Sequence, residues 1–131
     1  MRELRRNAVN LRWGGDRDVI RYYGAANGEA FLRTFPRYAI KVGERNGAIV
    51  GVGGLGWTVD GECIAFADCS GMRFAKSMHR AATEILELGR QFEMKIVAFR
   101  QDLPTSERWL KRLGFEPAGM DGDREVWVWE R

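Results

Sequence analysis

The sequence predicts an α+β domain: a central mixed sheet, built from an antiparallel meander, a β-α-β unit and a C-terminal hairpin, with helices flanking it. Asn46-Gly47, Asp60-Gly61 and Asp121-Gly122 each lie between runs of β-branched or aromatic residues, and such pairs favour the positive φ angles of tight hairpins. Between the second and third pairs the apolar period changes from 2 to 3.6, the mark of an amphipathic helix. That stretch leads within a few residues to KIVAF (95–99), a short apolar run that reads as a buried strand.

Taken in order, a short N-terminal strand is followed by two short helices in DRDVIRYYG and GEAFLRTF. YAIKVGER (38–45), AIVGVGGLGWT (48–58) and ECIAFAD (62–68) form the meander. Phe74, Met78, Ala81, Ala82, Ile85, Gly89 and Phe92 then share one helical stripe, with Lys76, Arg80, Thr83, Glu84, Glu87 and Arg90 off it, so that 62–99 form a β-α-β unit with parallel strands. A second helix over about 105–113 has Thr105 or Ser106 as its N-cap, just after Pro104, and Gly114 as its stop. The last hairpin pairs 115–120 with REVWVWE (124–130). Alternation there places Trp127 and Trp129 on one face and Val126 and Val128 on the other, so the strand is expected to be covered on both sides.

The 131 residues, 45% apolar and 30% charged, show no repeat, low-complexity tract or Pro/Ser-rich linker, and the chain is read as a single domain, 1–131. Net charge is +3, and residues 1–15 hold four arginines against one glutamate, which equals the whole excess. Clustered arginines can neutralise phosphates. No aromatic-interleaved basic stripe or nucleic-acid motif accompanies them, so the segment reads as a solvated arm and nucleic acid is not the expected partner. With no run of 18 apolar residues, and with charges in MRELRRNAVNLRW where a signal peptide is apolar, the expectation is a soluble, cytoplasmic protein that does not enter a membrane.

Cys63 and Cys69 fall in one strand, roughly 20 Å apart at the rise of an extended chain, too far to pair. They lack metal spacing, and His79, the only histidine, falls on a helix with no second ligand nearby; both read as structural thiols, and no metal is expected. Five tryptophans exceed what a small core needs, which makes Trp127 or Trp129, on an end strand, as suited to a homodimer surface as to a core. Gly51-Val52-Gly53-Gly54-Leu55-Gly56 satisfies G-x-G-x-x-G, but the dinucleotide mechanism needs a helix starting at that turn. The next residues, Trp57-Thr58-Val59-Asp60-Gly61, read as a strand entering a hairpin, so this is a glycine-rich strand that permits a bulge or the close approach of another chain or ligand.

SERWLKRLGFEP (106–117), placed after a helix and a strand and before a final hairpin, resembles the segment that ends the last long helix of GCN5-related N-acetyltransferases, the GNAT family. The order of elements, from the paired helices near the start to the last hairpin, resembles that fold over essentially the whole chain. The resemblance implies a GNAT-like acyl-CoA N-acyltransferase fold, acetyl-CoA as acyl donor, and acetyl transfer to a primary amine of a small molecule or protein that the sequence does not name. In that family the fourth strand and the next helix are joined by R/Q-x-x-G-x-G/A, whose main-chain N–H groups bind the pyrophosphate. The pattern falls here on Arg73-Phe74-Ala75-Lys76-Ser77-Met78; Arg73 matches and both glycine positions are replaced. A helix N-terminus keeps its N–H groups and partial positive charge whatever its side chains. A β-carbon at Lys76 or Met78 pushes a phosphate outward, which a charge-assisted contact from Lys76 can offset. The plainer alternative makes Met78 a core residue and Arg73 and Lys76 solvated side chains.

The resemblance further implies that a main-chain N–H of strand 62–68, at Ala67 or Asp68, polarises the thioester carbonyl. An attacking ammonium, with an ordinary pKa of about 10.4, must first lose a proton. Asp68, at the strand end where the parallel partner 95–99 should diverge, is the candidate catalytic base, directly or through water; an aspartate there also caps the turn into the helix, as Ser70 does readily. Two positions depart from the family: Leu110 stands where many members have a tyrosine that protonates the departing thiolate, and about Leu103 where asparagine is common. Neither side chain moves a proton, although a thiolate leaves readily and water can protonate it. A second reading is therefore a catalytically inactive GNAT-fold protein serving as a binding or assembly module, as in small divergent relatives familiar from phage genomes. The loops between the first two helices, with Gly24, Asn27 and Gly28, should border the acceptor pocket.

Overall fold

The computed structural model describes residues 9–68, 76–91, 95–99 and 106–129, with the side chains of Lys76, Ser77 and Ser106 left aside. Its elements run β1 (Asn10–Trp13), α1 (Asp16–Tyr23), α2 (Ala25–Thr34), β2 (Arg37–Arg45), β3 (Ala48–Trp57), β4 (Cys63–Asp68), α3 (Lys76–Gln91), β5 (Ile96–Phe99), α4 (Ser106–Leu113), β6 (Glu116–Asp121) and β7 (Arg124–Trp129). The strands form one sheet in the order β1-β2-β3-β4-β5-β7-β6. Every neighbouring pair is antiparallel except β4 and β5, which the α3 crossover makes parallel. The α+β sheet with meander, β-α-β unit and terminal hairpin is thus the observed architecture.

Turn chemistry fixes the meander. Asn46 (φ 51°) and Gly47 (φ 81°) are both left-handed and close a two-residue hairpin between the paired Arg45 and Ala48. The Asp60-Gly61 connection is longer: Gly61 N–H donates to Thr58 O and Thr58 N–H to Glu62 O, both at 2.9 Å. At the third turn Asp121 pairs with Arg124, and Gly122 supplies the positive φ of 65°. Gly114 (φ 99°) stops α4 as expected, with Phe115 N–H donating to Leu110 O. Thr105 lies outside the described residues, and Ser106 opens α4.

Strand alternation sends two cores to opposite faces. Leu55, Ile96, Ala98, Trp127 and Trp129 point one way and meet Ile85 and Leu86 of α3 and Leu110 of α4. Ile40, Val42 and Val52 point the other way and meet Val19 of α1, backed by Tyr22, Tyr23, Phe31, Tyr38 and Phe66. Two expectations are corrected here. β7 lies between β5 and β6 rather than at an end, and Trp127 and Trp129 are 1% and 7% exposed, so these tryptophans fill the core and present no dimer surface. On the opposite side of the strand Val126 and Val128 are only half-buried; the Arg124 guanidinium lies 3.8 Å over the neighbouring Phe99 ring. The edge is β6, fully exposed, and its ladder is broken between Pro117 and Gly119, which blunts it against pairing with another chain.

The stretch 51–56 is strand throughout, with no helix after it. A β-carbon on Gly54 would collide with the main chain of Ala39, and one on Gly56 with the ring of Phe35. The first two helices are joined by Gly24 alone (φ 87°), so Asn27 and Gly28 lie inside α2 and not in a loop; a β-carbon on Gly28 would sit 2.9 Å from Ile20 Cα, and glycine lets α1 and α2 touch.

One ion network ties β1, α1 and β2 together. Arg12 donates to both carboxylate oxygens of Asp18, at 3.1 and 2.8 Å, and to Glu44 Oε2 at 3.2 Å, while Gly15 N–H caps α1 by donating to Asp18 Oδ2 at 3.0 Å. One of the four arginines of the basic N-terminal stretch is therefore turned inward. The hydrogen bonds from Arg12, ahead of the opposing cost of burial, hold the Asp18 carboxyl down at about 2 against its ordinary 3.8. Asp18→Asn is expected to cost about 1–2 kcal/mol at neutral pH, since solvent reaches the guanidinium and screens the pair. A depressed carboxyl stabilises the fold fully above pH about 4 and loses that effect as pH falls through about 2. Urea denaturation of both proteins should therefore show a gap at pH about 7 that closes towards pH about 2; no gap at neutral pH would mean the network is energetically idle.

Candidate active site

β4 and β5 run together only briefly. Their ladder comprises Cys63↔Ile96, Ile64↔Val97 and Ala65↔Ala98, while β4 continues through Phe66, Ala67 and Asp68, still paired to β3 by way of Gly54, Gly53 and Val52. The divergence expected beside Asp68 would fall on the residues after Phe99, which lie outside the described residues. Alternation then divides the end of β4 between the two faces: Ala65 and Ala67 share the α3 side with Cys63, and Phe66 and Asp68 share the α1 and α2 side with Ile64.

On the α1 side, the Tyr22 hydroxyl donates to Asp68 Oδ1 at 2.9 Å, and the Asp68 main-chain carbonyl lies 3.4 Å from that hydroxyl. Tyr22 sits edge-on to Tyr23, whose ring stacks on Phe31, and Phe31 and Phe35 in turn pack against Phe66 of β4. The Asp68 carboxylate is thus held by a phenol that a row of rings fixes in place. Sequence reasoning missed Tyr22. A signal existed, since Tyr22 lies three residues after Val19 on the stripe of α1 that faces the sheet and carries a polar tip on an apolar body, but its partner is 46 residues away.

On the α3 side lies an apolar cleft of about 130 Å³, floored by Gly53, Ala65 and Ala67, roofed by Met78 and Ala82, and reaching Trp109 and Leu110 of α4. Met78 is buried in the helix stripe, so the structure brings Ala67 and Met78 to one cleft and sets Asp68 on the far side of the strand. Lys76 and Ser77 open α3. Arg73, Phe74 and Ala75, with Cys69, Ser70 and Leu103, lie outside the described residues. Leu110 is buried in the core and lines the cleft with carbon alone, with no group there to donate a proton. Cys63 is buried at the start of β4, where desolvation pushes its thiol up to about 11, a protonated and unreactive group at neutral pH. Among the described residues no three His, Cys, Asp or Glu side chains gather as metal ligands, and no helix is long and apolar enough to cross a membrane.

With this geometry the chain superimposes on solved N-acetyltransferases over nearly its full length. Ribosomal-protein-S18-alanine N-acetyltransferase from Escherichia coli aligns with a TM-score of 0.63 at 16% identity, covering 93% of each chain. PaiA N-acetyltransferase from Thermoplasma acidophilum, in complex with coenzyme A, gives 0.64 at 8% identity over 95% of this chain and 99% of that one. AAC(6')-Ib in its acetyl-CoA complex gives 0.60 at 14% identity over 95% and 94%. No protein-family model matches the sequence, and no curated protein matches it. The chain has the GNAT acyl-CoA N-acyltransferase fold.

The Tyr22–Asp68 contact is expected to couple the two residues energetically by about 1 kcal/mol. A double-mutant cycle of Tyr22→Phe and Asp68→Ala by urea denaturation measures this directly, and additive effects would show the contact to be incidental.

Proposed function

We propose that the protein is an acyl-CoA-dependent N-acyltransferase that moves the acetyl group of acetyl-CoA to a primary amine. The observation that carries this reading is the end of β4, which shows an apolar cleft on one face and holds a carboxylate on the other. The glycine and alanine floor suits a slender thioester arm, because side chains there end at Cβ or sooner. Several neighbours of the same fold were solved with coenzyme A or acetyl-CoA bound. Main-chain groups at Ala67 and Asp68 would meet the acyl end, and 73–78 would face the diphosphate. Because the Met78 side chain is turned into the core, its contribution to anion binding would come from main-chain N–H, with Arg73 and Lys76 supplying charge.

Bound acetyl-CoA would supply an activated carbonyl, whose C–S bond breaks as the C–N bond to the amine forms. Asp68, reached from the α1 and α2 face, accepts the proton that the ammonium must lose, and Tyr22 holds that carboxylate towards the incoming amine. The acceptor is therefore delivered from the aromatic face and the donor from the α3 face. Leu110 contributes no proton to the leaving thiolate, so water does.

A saturating concentration of coenzyme A, about 100 times its dissociation constant, is expected to stabilise the protein by about 2.7 kcal/mol and raise Tm by several degrees. Asp68→Asn should leave that shift intact while lowering kcat by about 100-fold or more with an amine acceptor. The rate should climb with pH without an alkaline fall, since Leu110 offers the departing thiolate no titrating acid. If millimolar coenzyme A leaves Tm unmoved, the fold serves instead as a binding or assembly module.

A further inference from the structure

Alternation along β4 puts Phe66 on the same face as Asp68, two residues and about 7 Å back along the strand. An amine held by the Asp68 carboxylate therefore has its carrier within reach of the Phe66 ring. That ring belongs to a continuous array: it lies parallel to Phe35, at 8° and 5.9 Å between centroids, and edge-on to Phe31, which also meets Tyr38 and stacks on Tyr23. The aliphatic residues beneath, Val19, Ile40, Val42 and Val52, are buried, whereas Tyr22, Tyr23, Phe31, Phe35, Tyr38 and Phe66 are each half-buried. The rings thus form the outer layer of this face and keep part of their surface in water. Aromatic surface left in water can take a further ring or a cation.

Resting on the acyltransferase reading, we propose that the acceptor is a monoamine carried on an aromatic body, an arylalkylamine, and that Phe66 is the residue that selects it. The charges around the rings disfavour the amine-rich alternatives. α1, α2 and the first residue of β2 carry Arg17, Arg21, Arg33 and Arg37, all exposed. Of the acidic side chains on the same stretch, Asp16 accepts from the Tyr38 hydroxyl, Asp18 is held by Arg12, and Glu29 is the third. A polyamine or an aminosugar, best matched by a carboxylate for each ammonium, meets an excess of guanidinium here. A single ammonium asks for one carboxylate, and Asp68, fixed by Tyr22, supplies it. Neighbouring rings also displace water from the ammonium and so favour its neutral form, which eases the proton transfer to Asp68 that precedes attack on the thioester.

Calorimetry on the whole protein saturated with coenzyme A, using 2-phenylethylamine, 2-cyclohexylethylamine and spermidine as probes, tests this. The phenyl compound is expected to bind at least about threefold more tightly than its cyclohexyl analogue of similar size, the margin that ring-on-ring contact adds to burial. It should also bind at least about tenfold more tightly than spermidine, which has no ring to bury. Phe66→Leu, shown by circular dichroism to be folded, should abolish the margin between the phenyl and cyclohexyl compounds; if that variant does not fold, the comparison in the unmodified protein decides. Equal binding of the two compounds by the unmodified protein, tighter binding of spermidine, or a margin that survives Phe66→Leu overturns the proposal. Absence of amine binding by protein that does bind coenzyme A overturns it as well, and in each of these cases the acyltransferase reading stands. Absence of any coenzyme A binding removes that reading and this inference with it.

Discussion

The bareness of β3 is the constraint on which both halves of the molecule depend. Gly54 and Gly56 point to the α1 and α2 face, where Phe35 presses its ring onto the backbone and β2 approaches closer than a β-carbon would allow. Gly51 and Gly53 point to the α3 face, where they line the apolar cleft. One strand thus draws the aromatic helices down on one side and lines a cleft on the other. Close packing beneath α3 uses the same device at Gly89, where a β-carbon would strike Ile96.

β4 turns that asymmetry into a site. Its antiparallel partner β3 accompanies it to its last residue, whereas the described pairing with its parallel partner β5 runs from Cys63↔Ile96 to Ala65↔Ala98. Ligands of sheets with crossover helices gather outside the carboxyl ends of parallel strands, where chain directions part. Here the side chains at the carboxyl end of β4 alternate, and a period of two sends a small residue to the cleft and a carboxylate to the phenol of Tyr22.

Most of this frame was legible in the residues because it is written in local signals. The turn pairs, the change of period at the start of α3, the stop at Gly114 and the reading of 51–56 as strand all rest on neighbours within a few positions. What escaped depends on long-range choices. Trp127 and Trp129 read equally well as core or surface until β6 is seen to take the edge outside them. Asn27 and Gly28 look like loop residues until the packing of α1 on α2 supplies a reason for glycine inside a helix. Asp68 was legible as a strand end, but the residue that holds it comes from α1, and the inward turn of Arg12 needs Asp18 and Glu44 from two other elements.

The division of labour between the faces is also the most fragile property of the fold. Side chains along a strand alternate with a period of two, so slipping β4 by one residue against β3 would move Asp68 under α3 and swing Ala67 towards Tyr22. A carboxylate would then sit in an apolar cleft with no donor, and Phe66 would leave the rings of Phe31 and Phe35. The correct register is therefore enforced from both sides at once, by the desolvation of a misplaced charge and by the loss of an aromatic contact. The features that define the candidate site are the same ones that fix the strand that carries it.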